Sequence, residues 1–310
     1  MAVDPLSEIL ALADARCVVT GELRAGGAWS VRFPTDAPVK LDAVVRGSCW
    51  LVADDEPPLH LTAGDAVVLN GVRTMVLTSD PALRPVEAPG AEPGADAVVR
   101  YGDGDDAAVL GGHVELDPAS AGLFTAVLPR VLRTGADSTE AGEIRRLLER
   151  VSGELTDDRP GAAFAADQHA QLLLLHVLRA GLGSDALDRP GWLRLLADPV
   201  LRPAVVLMHA EPGRGWGLAE LAAAVGMSRS HFAHRFRAVA GEPPLTYLAR
   251  WRIRLARRAL RDTTTTVAAL ATRLGYASES SFSHAFTRAV GVSPSRYRRT
   301  ARPGEPARAR

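Results

Sequence analysis

Apolar and polar residues alternate along the first hundred positions. In WSVRF, Trp29, Val31 and Phe33 share one face, the period of two that a half-buried strand requires. KLDAVVRGSCWLVAD is interrupted at Arg46-Gly47-Ser48, which predicts two strands joined by a tight turn. PLHLTAGDAVVLNGVRTMVLTS continues the pattern, with turns at Ala63-Gly64-Asp65 and Asn70-Gly71. The Pro/Gly-rich stretch 84–96 reads as a surface loop and GGHVELD as a further strand. Short strands at this spacing predict a small barrel or sandwich.

From Pro118 the period becomes helical. PASAGLFTAVLPRVL, STEAGEIRRLLERVSGEL and AAFAADQHAQLLLLHVLRAGL predict three helices. The last is apolar almost all round at Leu172–Leu178, so it needs cover from its own domain or from a second subunit. Two shorter helices are expected between Asp188 and Trp216, and ARPGEPARAR at the end reads as a disordered tail.

The C-terminal third contains a repeat. Phe232 and Phe282 each precede another Phe by four residues and a glycine by nine. An apolar helix leads into Gly226 and Gly275 in the two copies, LAELAAAV in one and VAALATRL in the other. The pattern predicts two helix–turn–helix units about fifty residues apart. Gly226 and Gly275 are expected at positive φ, and Ser228 and Ser278 are placed to cap the second helix of each unit. With the phenylalanines inward, Ser230, Ala233, His234 and Arg237 form the outer stripe of the first unit. Ser280, Ser283, His284 and Thr287 do so in the second, with Glu279 at the helix start. Short polar side chains suit a helix that enters a DNA major groove, about 12 Å wide. Between the units, Leu248, Trp251 and Leu255 mark one long helix from Pro244 to about Asp262, with the next N-cap among Thr263–Thr266. Such a rod would hold two reading helices near one DNA turn apart, roughly 34 Å.

Charge strengthens that picture. Formal net charge is zero, yet residues 1–200 hold 17 basic against 30 acidic side chains, a net of −13, and the remainder holds 19 against 6, a net of +13. An acidic module joined to a basic one is the signature of a chain that meets a polyanion. Arg250, Arg252, Arg254, Arg257, Arg258 and Arg261 are the expected phosphate-neutralising set on the long helix. Hydrophobic content of 47% with 23% charged residues fits a folded globular protein, and no apolar run reaches the roughly 18 residues of a membrane span. The acidic start (Asp4, Glu8) does not resemble a signal peptide, and two cysteines make no disulfide framework, so a cytoplasmic location is expected.

The segments GMSRSHFAHRF, YLARWRIRLARRAL and GYASESSFSHAF resemble the DNA-binding domain of AraC/XylS family transcription regulators over nearly all of 216–298. The resemblance implies an α+β protein. Residues 1–190 would form a cupin-like β-barrel with accompanying helices, for sensing and dimerisation. Residues 191–300 would form an all-α domain of two helix–turn–helix units, and 301–310 a tail. It implies base reading by Ser230, Ala233 and His234, and by Glu279, Ser280, Ser281 and His284, with Arg237 on the same stripe. Backbone contacts are expected from Ser228, Arg229, Arg250, Arg254, Arg257, Arg258, Thr287 and Arg298. Double-stranded DNA, an unknown small-molecule effector and a second copy of the chain are the expected partners, and RNA polymerase is a further candidate. No cofactor is expected. Cupin enzymes hold metal with paired histidines, a glutamate and a later histidine. KLDAVVRG has no histidine, Arg73 stands at the later position, and His60 and His113 are isolated, so no metal site is assigned. Cys17 and Cys49 are retained as a candidate redox pair, against the alternative of two buried free thiols. The competing readings are a metal-dependent cupin enzyme and a nonspecific DNA-coating protein.

Overall fold

The computed structural model describes residues 4–54, 56–88, 98–118, 120–135, 138–157, 159–183, 187 and 189–301. Helix α1 (Pro5–Leu12) is followed by strands β1 (Arg16–Ala25), β2 (Ser30–Pro34), β3 (Val39–Arg46), β4 (Ser48–Ala53), β5 (Leu59–Thr62), β6 (Ala66–Asn70), β7 (Thr74–Thr78), β8 (Val86–Glu87), β9 (Val98–Tyr101) and β10 (Ala107–Glu115). The single-turn α2 (Ala121–Thr125), strand β11 (Val131–Thr134) and helices α3 (Ala141–Thr156) and α4 (Ala162–Leu182) come next. The C-terminal part is helical throughout: α5 (Trp192–Ala197), α6 (Arg202–Ala210), α7 (Leu218–Ala224), α8 (Arg229–Ala240), α9 (Pro244–Asp262), α10 (Val267–Arg273), α11 (Glu279–Val290) and α12 (Pro294–Ala301).

The strands make two sheets, ordered β11-β6-β3-β10-β1-β9 and β5-β4-β7-β2-β8. The expected barrel is therefore a two-sheet sandwich, with neither sheet closed on itself. The turns explain why. Arg46-Gly47-Ser48 does not make a hairpin, because β3 belongs to the six-stranded sheet and β4 to the five-stranded one. Gly47 is the corner, at φ +72°, and a Cβ there would sit 1.9 Å from the Asp106 carbonyl oxygen. The turns at 63–65 and 70–71 likewise carry the chain from one sheet to the other. Inward residues of both sheets, including Val31, Val44, Leu51, Val67, Leu69, Leu77 and Val109, form the core between them.

The opposite face of the six-stranded sheet carries helices. Asp167 of α4 accepts the Val19 N–H at 3.1 Å, and Gln171 accepts the Cys17 N–H at 2.8 Å while donating to the Ala15 carbonyl at 2.9 Å. Of the apolar run in α4, Leu173, Leu174, Val177 and Leu178 are buried, whereas Leu172 is 47% and Phe164 72% exposed. The helix expected over 118–132 is one turn followed by strand β11, because Val131–Thr134 completes the sheet edge against β6. Most of the expected loop 84–96 and all but the first residue of the expected tail lie outside the described residues.

The chain divides into two compact units. Ala13–Arg189 is one, and the other comprises Pro190 onward together with the first twelve residues. The division falls between Arg189 and Pro190, and α1 belongs to the helical unit. Its Leu6, Ile9 and Leu12 recur at a three-residue spacing and are all buried there. Nothing in the strand-rich N-terminal pattern announced that placement.

Candidate nucleic-acid interface

Both helix–turn–helix units are built from the same local chemistry. In the first, α7 ends at Gly226 (φ +67°), and Ser228 caps α8 by accepting the His231 N–H at 3.4 Å. In the second, α10 ends at Gly275 (φ +75°) and Ser278 accepts the Ser281 N–H at 3.1 Å. The Ser281 hydroxyl accepts the Ser278 N–H at 3.2 Å in return, which closes a capping box. Thr266 caps α10 through the Ala269 N–H at 3.2 Å. Each second helix ends at a left-handed glycine, Gly241 or Gly291.

The phenylalanines are core, as their spacing requires. Phe232 and Phe236 are fully buried with ring centroids 5.6 Å apart, and Phe282 and Phe286 are fully buried at 5.7 Å. Each pair is closed by a tyrosine eleven residues after the second Phe, Tyr247 at 5.7 Å and Tyr297 at 5.6 Å. With one face buried, the opposite face is turned outward. Ser230, His234 and Arg237 are exposed on α8, and Ala233 is half-buried. Glu279, Ser280, His284 and Thr287 are exposed on α11, and Ser283 is half-buried. His234 and His284 occupy the same position of the repeat, two residues after Phe232 and Phe282.

Helix α9 has 19 residues and is about 28 Å long. Its buried stripe, including Leu248, Trp251, Ala256 and Leu260, serves both units. A second junction was not legible in the sequence. Arg252 donates to the carbonyls of Pro212 (2.6 Å) and Arg214 (2.8 Å), which pins the loop before α7 onto α9. In that loop Gly213 touches the turn of the second unit, where a Cβ on Gly275 would lie 2.1 Å from the Gly213 oxygen. Gly226, in the equivalent turn, has open space beside it.

The expected cationic set divides. Arg229, Arg250 and Arg258 are exposed, although Arg250 meets Glu242 at 3.2 Å and Arg258 meets Asp262 at 3.6 Å. Arg254 is half-buried among Tyr247 and Glu242, and burial pulls its pKa down. Arg298 donates to the Thr265 carbonyl, and Arg257 stacks on Tyr297 and meets its hydroxyl at 3.4 Å. Arg261 pairs with Asp262 at 2.7 Å. Arg252, Arg257 and Arg298 therefore make contacts within the helical unit, to backbone carbonyls and to the Tyr297 hydroxyl.

Sequence reasoning also missed His209. Its side chain is fully buried, stacked on Trp251 at 3.8 Å. Nδ1 lies 2.8 Å from the Glu8 carboxylate on α1, and Nε2 lies 2.8 Å from the Tyr247 hydroxyl. Burial lowers the imidazole pKa more than the Glu8 hydrogen bond raises it. In the neutral ring Nδ1–H donates to Glu8 and Nε2 accepts from Tyr247. The one available signal was the tyrosine recurring in both repeats, which demands a hydrogen-bond partner once buried.

In the sandwich the two cysteines are separated. Cys49 lies in the core between the sheets, while Cys17, opposite Val114, is on the helix-covered face of the six-stranded sheet. The structure does not bring them together as a pair. Burial first, with nearby carboxylates adding to it, pushes both thiols up to about 12. His60 is exposed and packs beside the Trp50 ring at 4.8 Å, and His113 sits 3.9 Å from Glu115. Among the described residues no group of three or more His, Cys, Asp or Glu is arranged to hold a metal ion, and no helix is long and apolar enough to cross a membrane.

Two capped helices with short polar outer faces, mounted on one basic helical unit, define a DNA-binding protein of the double helix–turn–helix class. Comparison with known proteins makes the assignment specific. A family model described as Cupin matches residues 4–183, and one described as Helix-turn-helix domain matches residues 221–300. The chain is 39% identical over 298 residues to a putative AraC-like transcription regulator of Streptomyces lividans, covering 96% of this chain and 98% of that one. It is 38% identical over 305 residues to another from Streptomyces antibioticus, again covering 96% and 98%. The DNA-binding domain of AdpA, solved in complex with a target DNA, is 32% identical, with coverage of 35% of this chain and 99% of that one and a TM-score of 0.33. The chain belongs to the AraC-like transcription regulators, and it is a DNA-binding transcription regulator.

Proposed function

We propose that α8 and α11 read bases in successive major grooves of one operator, and that the sandwich unit controls this binding in response to a small-molecule effector. Ser230, His234 and Arg237 are assigned to base edges from α8, and Glu279, Ser280 and His284 from α11. Ala233 supplies close approach, not a polar contact. The Ser281 hydroxyl both accepts the Ser278 N–H and donates to the Ser278 carbonyl at 2.8 Å, so base contact is not assigned to it. Arg229, Arg250, Arg258, Ser228 and Thr287 are assigned to phosphates. Residues 13–189 would sense and dimerise, with the exposed Phe164 and Leu172 on α4 as the face for a second copy. RNA polymerase is the proposed further partner, and the cytoplasm the site of action. The relatives are named as transcription regulators, which favours this reading over a cupin enzyme.

The observation that carries the proposal is the matched pair of exposed histidines, His234 and His284, on two helices each capped by a serine and backed by a buried Phe pair. The test is DNA affinity at fixed salt, comparing a fragment upstream of the protein's own gene with random DNA. The wild-type protein should prefer the upstream fragment. His284→Ala should relax preference at one or two base positions and leave the salt slope unchanged. Arg229→Ala should weaken all DNA equally and flatten the slope by about one unit. Equal wild-type affinity for both fragments would instead identify a nonspecific coating protein.

A further inference from the structure

Lys40 is the only lysine among 36 basic residues, and it belongs to the unit Ala13–Arg189, not to the helical one. It lies in β3, 14% exposed, with Nζ 4.0 Å from Oδ1 of Asp42. Asp42 is 1% exposed, and neither carboxylate oxygen has a hydrogen-bond partner. The register fixes where both side chains point. Asp42 stands opposite Val67 and Lys40 opposite Leu69, and those two residues belong to the core between the sheets. A bare carboxylate in an apolar core costs several kcal/mol unless something pairs with it.

On the neighbouring strands, glycines face that buried carboxylate. Directly opposite Asp42 on β10 is Gly111, and opposite Gly111 on β1 is Gly21, at a bulge that inserts Thr20. A Cβ on Gly111 would lie 3.4 Å from Asp42 Oδ1 and 3.3 Å from Thr20 Oγ1, so the two polar atoms flank the space that the glycine keeps free. Glycines and bulges inside strands mark places where a ligand approaches the backbone. His113, opposite Lys40 and partly exposed, continues the polar row toward solvent.

We propose that Asp42 and Lys40 form the head-group site for the effector, and that the effector is a small zwitterion of the amino-acid class. Its ammonium group donates to Asp42 and Thr20, and its carboxylate accepts from Lys40. Fixed opposite charges about one hydrogen bond beyond direct contact match the adjacent ammonium and carboxylate of such a molecule. A plain amine would face Lys40, and a plain acid would face Asp42. The assignment rests on the reading of residues 13–189 as the sensing unit.

The test uses the full chain. In heat unfolding without additive, Asp42→Asn and Asp42→Leu should both raise the midpoint of the sandwich unit, by about 5 °C, since each removes a buried carboxyl group whose oxygens have no hydrogen-bond partner and which Lys40 approaches only to 4.0 Å. Midpoints at or below wild type in both variants would make the carboxylate structural and overturn the proposal. The twenty free amino acids, each with its matched amine and matched carboxylic acid, are then screened by thermal shift. At least one amino acid should raise the wild-type midpoint where its amine and acid do not, and Asp42→Asn and Lys40→Met should each abolish the shift. No shift in wild type, or the same shift in the variants, overturns it. DNA preference is measured on the same samples. Loss of wild-type preference for the upstream fragment rejects the regulator's operator reading, whereas intact preference with no zwitterion shift rejects the effector site alone.

Discussion

Ile9→Ala tests whether the first helix serves the DNA-binding unit. Ile9 is 1% exposed and lies between Leu6 and Leu12 on the face of α1 that packs in the helical unit with α6 and α9. Truncating a fully buried isoleucine removes three carbons from a packed interior. Transfer and cavity terms together give a cost of about 2–4 kcal/mol. For a unit of this size, that lowers the unfolding midpoint by roughly 10 °C. The substitution leaves the Glu8–His209 hydrogen bond chemically intact, so the effect isolates packing. Because the chain has two compact units, the assay must report them separately. Retention of DNA binding after brief heating reports the helical unit, and protection of the sandwich from proteolysis over the same ramp reports the other. The expected result is an early loss of DNA binding with the sandwich transition unmoved. A shift confined to the sandwich, or no shift in either, would refute the placement of α1. The same reasoning makes a fragment that starts at residue 190 less stable than the full chain, since it lacks the apolar cover supplied by Leu6, Ile9 and Leu12.

The two turn glycines should respond differently. Gly226→Ala faces only the strain of positive φ, about 1 kcal/mol, whereas Gly275→Ala also drives a Cβ into the Gly213 carbonyl oxygen at 2.1 Å. Thermal unfolding of both should show the larger loss at Gly275, and equal losses would argue against a close junction between the units. His209 should make the helical unit sensitive to acid. Its folded pKa lies below the unfolded value of 6.5, so the unfolded chain takes up the proton first. The stability it supports is complete above pH 6.5 and falls as pH drops from there toward the folded pKa, by up to about 1.4 kcal/mol per unit. His209→Gln should be less stable at pH 7 and should lose that part of the slope. An unchanged slope between pH 6.5 and 5 would contradict the burial argument.

Much of the DNA-binding unit was legible because its signals are local. A glycine at a helix end, a serine cap and a Phe pair four residues apart depend on neighbours within one turn. Two copies of that pattern within residues 216–298, together with the charge split along the chain, pointed to the class of function. The outer-face residues followed by geometry, since burying Phe232 and Phe236 turns His234 outward. The caps and the limits of α9 were also set by local rules, and the helix spans Pro244–Asp262, where the periodicity placed it.

What chain distance hides came only from the tertiary structure. Periodicity marked the strands, but sheet membership depends on pairing across the molecule, so Gly47 proved to be a corner between sheets and not a hairpin tip. The same long-range pairing put Val131–Thr134 on a sheet edge and parted Cys17 from Cys49. Helix α1 joined residues some two hundred positions away, where Glu8 meets His209. Arginines that look alike in sequence were divided into scaffold and surface by which carbonyls and tyrosines came within reach. Local sequence specifies backbone shape and capping through short-range sterics and hydrogen bonds; partners distant in the chain are chosen by burial, which no segment encodes alone.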